Sequence, residues 1–132
     1  MQRKNKYSGG VYLRLSKEDG DVVTGTKSES NSILNQKSLI TEFLKSKPEI
    51  RAVSFYEDDG YSGVNFERPA FQKMMEDVKK GKIDCIIVKD LSRFGRNYIE
   101  VGRYLEKLFP MLDVRFIAVN DNYDSLNTDT AH

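Results

Sequence analysis

Ile83-Asp84-Cys85-Ile86-Ile87-Val88 is the most apolar run in this 132-residue chain. It is short, rich in β-branched residues and almost without polar alternation. Such a run reads as a central strand buried on both faces, and a strand of that kind needs helices on both sides of its sheet. The flanking sequence supplies them. Upstream, Pro69 suits the first turn of a helix, Phe71, Met74, Met75 and Val78 form its apolar stripe, and Gly81 follows its end. Downstream, residues 89–97 form a polar, Arg-rich connection. Residues 98–112 are predicted helical, with Val101, Tyr104, Leu105, Leu108 and Phe109 inward, and residues 115–119 read as the next strand.

Further out, residues 10–15 read as a first strand and residues 17–29 as a polar loop. Ser30, Asn31 and Ser32 are candidate N-caps for a helix carrying Ile33, Gln36, Ile40, Phe43 and Leu44 on one side, which Pro48 closes. Residues 52–56 read as a second strand and the acidic residues 57–66 as a loop. The tail, residues 120–132, is polar and without periodicity. Strands alternating with helices imply right-handed βαβ units. The expectation is a single α/β domain over residues 1–132, with a mostly parallel sheet of four to five strands between helices. In such sheets the active site lies beyond the carboxyl ends of the strands.

Composition narrows the classes. Hydrophobic residues make up 39% and charged residues 31%, which excludes a disordered chain. No apolar run approaches the ~20 residues that span a bilayer. Residues 1–8 are polar and basic, unlike a signal peptide. A lone cysteine, Cys85, excludes an internal disulfide and suits a cytoplasmic setting. With one Cys and one His, His132, there is no zinc pattern. The net charge of +1 means that any nucleic-acid contact has to come from a local basic cluster or from residues beyond this sequence. Neither glycine-rich nucleotide-binding pattern, G-x-x-x-x-G-K-[ST] or G-x-G-x-x-G, occurs.

The strand ends carry the chemistry. The first ends in Leu13-Arg14-Leu15-Ser16, the second in Glu57-Asp58-Asp59-Gly60-Tyr61-Ser62-Gly63, and the third in Lys89-Asp90-Leu91-Ser92-Arg93-Phe94-Gly95-Arg96. One rim therefore receives a hydroxyl, carboxylates and several guanidiniums. Guanidinium forks match phosphate oxygens, and positive groups stabilise a phosphoryl transition state. A neighbouring serine could be the covalent nucleophile. Each residue also has a plain structural reading. Ser16 could be a turn residue, Arg14 could pair with Asp59, Arg93 and Arg96 could form a solvated face, and Gln36 could be a satisfied buried amide. Cys85 reads as core.

Four of these segments resemble, in order, the motifs of the serine site-specific recombinases, the resolvase/invertase family. Tyr12-Leu13-Arg14-Leu15-Ser16 is similar to Y-x-R-x-S, and Asp59-Gly60-Tyr61-Ser62-Gly63 to D-x-x-S-G. Arg68-Pro69-Ala70-Phe71 is similar to R-P-x-[LF], and Asp90-Leu91-Ser92-Arg93-Phe94-Gly95-Arg96 to D-x-L-x-R-x-x-R. The long loop after Ser16, and Ser92 where small resolvases often carry Asp, are most like the large recombinases of integrative and conjugative elements. Ser92 cannot carry that charge.

The resemblance implies a three-layer resolvase-like fold and DNA strand cleavage, exchange and rejoining. It makes Ser16 the nucleophile of a 5′-phosphoserine intermediate. Arg14, Arg68, Arg93 and Arg96 would hold the phosphate, Asp59 would orient the arginines, and Gln36 would lie near the nucleophile. It implies no metal or nucleotide cofactor. The partners it implies are double-stranded DNA and further copies of the protein, a dimer on each site and a tetramer in synapsis, with no membrane. It also implies that the sequence stops before a long dimerisation helix and DNA-binding domains. Two other readings stay open: a non-catalytic DNA-associated regulator on this scaffold, and a receiver-type domain with Asp90 as phosphoacceptor.

Overall fold

The run around Ile83 does form the centre of the sheet. The computed structural model describes residues 5–15, 32–61 and 66–128. Its strands are β1 (Tyr7–Leu15), β2 (Ile50–Asp59), β3 (Cys85–Val88), β4 (Arg115–Ala118) and β5 (Tyr123–Asp124), in the order β2-β1-β3-β4-β5. The first four are parallel, and β5 runs antiparallel to β4. All four residues of β3 are buried, as a central parallel strand requires.

Helices cover both faces. On one side α1 (Ile33–Leu44) packs Ile40 against Val11, Leu13, Cys85, Ile87 and Ile117. On the other, α2 (Pro69–Lys79) brings Phe71, Met74, Met75 and Val78 against Tyr12, Ile86, Val88 and Phe116. A further helical run joins them there: α4 (Tyr98–Arg103), a π-helical turn (Tyr104–Leu108) and α5 (Phe109–Leu112). Of the three candidate caps of α1, the described one, Ser32, is used; its hydroxyl accepts the Asn35 N–H at 3.0 Å. Pro69 stands at the first turn of α2, as predicted, and Gly81 follows that helix at φ 80°.

Three expectations need correction. The second strand does not stop at residue 56 but runs on to Asp59, because it stays in register with β1 down to Leu15 opposite Asp59. That pairing overrides the turn-like composition of residues 57–59. The connection over residues 89–97 contains a single helical turn, α3 (Leu91–Phe94), which Asp90 caps. The aperiodic tail supplies β5 and α6 (Ser125–Thr128). Both are tied to the start of β4. Asp124 takes a two-pronged bond from Arg115, at 3.0 and 2.6 Å, and the Ser125 hydroxyl accepts the Phe116 N–H at 2.9 Å.

Because β1, β2 and β3 are parallel, Leu15, Asp59 and Val88 end at the same edge. Among the described residues, no helix is long and apolar enough to cross a membrane, and no group of ligand-type side chains could hold a metal ion.

Candidate active site at the carboxyl edge of the sheet

Arg14 is the first residue to understand. Strand β1 is paired with β3 only from Gly9 to Val11. Beyond that, the β3 side of β1 lacks a registered strand, and the backbone of Arg14 needs other partners. Gln36 of α1 provides them. Its Oε1 accepts the Arg14 N–H at 3.3 Å, and its Nε2 donates to the Arg14 carbonyl at 2.9 Å. Arg93 Nη1 donates to the same carbonyl at 3.0 Å. The strand end is also tied to its other neighbour, since Gly60 N donates to the Leu15 carbonyl at 2.5 Å. Gly60 does so at φ 91°, in the region that favours glycine.

The guanidiniums of Arg14 and Arg68 converge on α3. One turn of helix leaves its carbonyls without intrahelical partners, and cations suit that end. Arg14 donates from Nε to the Arg93 carbonyl at 3.0 Å, from Nη2 to the Ser92 carbonyl at 2.5 Å, and from Nη1 to the Tyr61 carbonyl at 2.9 Å. Arg68 donates to the Phe94 carbonyl at 2.7 Å and to the Arg93 carbonyl at 3.4 Å. Its guanidinium also lies 4.7 Å from the Phe66 ring centroid and 5.1 Å from that of Phe71. Arg14, Arg68 and Arg93 are all buried, whereas Arg96 is exposed. Burial, and then the charges of Arg93, Arg68 and Arg96, push Arg14 down to about 10. It remains a cation at neutral pH. Gathering like charges beside a strand end is unfavourable unless an anion is to be met there.

A buried carboxylate, Asp58, sits next to the Asp59 singled out from sequence and holds the start of α2. Asp58 Oδ2 accepts the Tyr12 hydroxyl at 2.8 Å and the Phe71 N–H at 2.9 Å, and Oδ1 accepts the Ala70 N–H at 2.9 Å. Asp58 is buried and Asp59 is exposed. Extending the strand alternation from Tyr56 would have pointed to Asp58. The Arg14 guanidinium rests on carbonyls rather than in the Asp59 pair considered above. Gln36 is the buried, satisfied amide, and it also lies at the site. Asp90 caps α3, accepting the Arg93 N–H at 3.1 Å and the Ser92 hydroxyl at 2.5 Å. Ser16, Ser62 and Gly63 lie outside the described residues.

Comparison with known proteins bears on the family and the fold. The family described as "Resolvase, N terminal domain" matches residues 10–132. A putative DNA recombinase of Bacillus subtilis (strain 168) is 31% identical over 116 residues, which is 86% of this chain but 20% of that protein. A resolvase family site-specific recombinase from Streptococcus pneumoniae is 31% identical, with a TM-score of 0.69 over 96% of this chain and 86% of that one. The N-terminal catalytic domain of TP901-1 integrase is similar in fold, with a TM-score of 0.78 at 22% identity, over 94% of this chain and 85% of that one. The chain therefore belongs to the resolvase family of serine recombinases and matches its N-terminal, catalytic domain. It spans about one fifth of the curated relative's length.

Proposed function

We propose that this domain cuts and rejoins DNA strands in site-specific recombination, in the integration or excision of a mobile element. The observation that carries the reading is the convergence of Arg14, Arg68 and Arg93 at the sheet edge where β1 delivers the chain to Ser16. In this reading Ser16 attacks the scissile phosphate, a 5′-phosphoserine bond forms and the 3′ oxygen leaves. The phosphodiester is exchanged rather than hydrolysed, so rejoining needs neither metal nor nucleotide.

The arginines divide the work. Arg96, exposed on the rim, meets the incoming phosphate first. Arg93 is buried and follows. Arg14 and Arg68 hold α3 through its carbonyls, and they reach a phosphate only as α3 gives up some of those bonds. A cationic setting also lowers the cost of forming the Ser16 alkoxide. Asp59, exposed, ends β2 at the same edge of the sheet and would orient the arginines. Double-stranded DNA is the substrate, the protein works as a dimer on each site and a tetramer in synapsis, and the setting is cytoplasmic.

The test uses the longest natural polypeptide that carries this domain, mixed with sheared double-stranded DNA of its host and quenched with detergent. Protein–DNA adducts that resist the detergent and vanish in Ser16→Ala support the reading. Adducts that survive Ser16→Ala contradict it. DNA binding without any adduct favours the regulator.

A further inference from the structure

Asp121 lies in the turn between β4 and β5, where none of the expected site residues belongs, yet its carboxylate reaches the arginine turn α3. We infer that Asp121 is a positioning residue, which fixes the amino end of α3 and so sets the places of Arg93, Arg96 and the carbonyls that hold Arg14 and Arg68. This role rests on the recombinase reading above.

The two ends of α3 are held by opposite charges. A single helical turn does not sustain itself, because forming it costs more backbone freedom than its hydrogen bond returns. Its first N–H groups have no acceptor inside the helix, and a carboxylate suits that end. Asp90 accepts the N–H of Arg93 at 3.1 Å. Asp121 Oδ2 accepts the N–H of Leu91, the first residue of the turn, at 2.6 Å. At the other end, the carbonyls of Ser92, Arg93 and Phe94 meet the guanidiniums of Arg14 and Arg68.

A tight turn delivers the Asp121 carboxylate. β3 and β4 stay bonded past their last strand residues: Val119 N–H donates to the Val88 carbonyl at 3.0 Å, and Asn120 N–H to the Lys89 carbonyl at 2.7 Å. The chain then reverses. Asn122 N–H donates to the Val119 carbonyl at 3.1 Å, at a φ of 55° that asparagine tolerates. The backbone of Asp121 is therefore held from both sides. Residues 88 and 89 are tied to the β4 segment through main chain, and residue 91 through this one side chain.

Asp121 is exposed, which separates its part in the site from one in folding. A surface bond of this kind contributes little to global stability. Its effect on the site is larger. Arg93 Nη1 bonds the carbonyl of Arg14, two residues before Ser16, so a displaced α3 moves the strand end that carries the nucleophile.

Two substitutions separate the bond from the charge. Asp121→Asn removes the charge and keeps an acceptor for the Leu91 N–H, whereas Asp121→Ala removes both. In the adduct assay described above, the rate of covalent adduct formation by Asp121→Ala should fall roughly 10- to 100-fold, the scale on which small misplacements act. Asp121→Asn should recover most of that rate. Both variants should bind DNA equally in a gel shift and melt within a few degrees of wild type. Amide hydrogen exchange over residues 91–96, measured without DNA, should quicken in Asp121→Ala and not in Asp121→Asn. Equal adduct rates in the two variants would overturn the role, as would unchanged exchange in Asp121→Ala or a rate loss that follows DNA affinity. Absence of adducts in the wild type overturns the recombinase reading and this role with it, whereas failure of the exchange result alone overturns only the role of Asp121.

Discussion

The Gln36 side-chain amide hydrogen-bonds both backbone groups of Arg14, accepting its N–H at 3.3 Å and donating to its carbonyl at 2.9 Å. A glutamine on a helix thereby stands in for a strand, at the point where β3 has ended and β1 continues toward the site. Gln36→Met keeps the volume and removes both bonds, leaving the buried Arg14 N–H without its acceptor. An unmet buried donor costs about 1–3 kcal/mol. Denaturant unfolding should show that loss, while Gln36→Glu, which keeps the acceptor, should lose less. Equal stability in Gln36→Met and wild type would contradict the strand-substitute role.

The two classes of arginine should separate by stability. Arg14→Lys keeps a charge but loses the fork that bonds the Ser92, Arg93 and Tyr61 carbonyls. Arg96 is exposed, and surface substitutions usually stay within about 0.5 kcal/mol. Thermal melting should therefore show a clear drop for Arg14→Lys and almost none for Arg96→Lys. The DNA-dependent activity should fall in both.

Much of this fold was legible in the sequence, for physical reasons that also explain the misses. The Ile83–Val88 run announced a doubly covered strand because burial on both faces removes polar alternation, and the helix stripes at Phe71–Val78 and Ile33–Leu44 are local patterns. β5 and α6 were invisible because the Arg115 side chain and the Phe116 backbone N–H, eight to ten residues upstream, hold them. Asp58 was missed because Glu57-Asp58-Asp59-Gly60 has turn-like composition, while the register with β1 makes its first three residues strand. The site arginines could be picked out, but not their partners. Backbone carbonyls at residues 61, 92, 93 and 94 carry no sequence signature.

Close packing at Gly10 gives a steric prediction. A Cβ there would lie 2.6 Å from Ile83 Cδ1 and 3.0 Å from Tyr56 Cε2. Overpacking of that kind costs roughly 1–3 kcal/mol. Gly10→Ala should be destabilised by that amount in denaturant unfolding, and adding Ile83→Val, which removes Cδ1, should recover part of the loss. An additive double variant would contradict the stated clash.

At the opposite end of the sheet, Asp124 opens a pH window. Its burial opposes ionisation, but hydrogen bonds from Arg115 and the Leu126 N–H outweigh that and hold the carboxyl below its usual range. A carboxyl lowered in the folded state adds stability that is fully present above the unfolded value, about 3.9 for Asp. That stability is lost as pH falls through the lower folded value. The melting temperature of wild type should therefore fall more steeply below about pH 4 than that of Asp124→Asn. Parallel curves would show that the Arg115–Asp124 pair carries no such linkage.

In the proposed reaction Ser16 becomes bonded to a DNA 5′ phosphate. Nuclease digestion of the detergent-resistant adduct, followed by peptide mass spectrometry, reads this bond directly. The expected result is a phosphate-linked remnant on the peptide containing Ser16, with a free 3′-hydroxyl on the released strand. A remnant on any other residue, or a phosphate left on the 3′ end of the released strand, would contradict it.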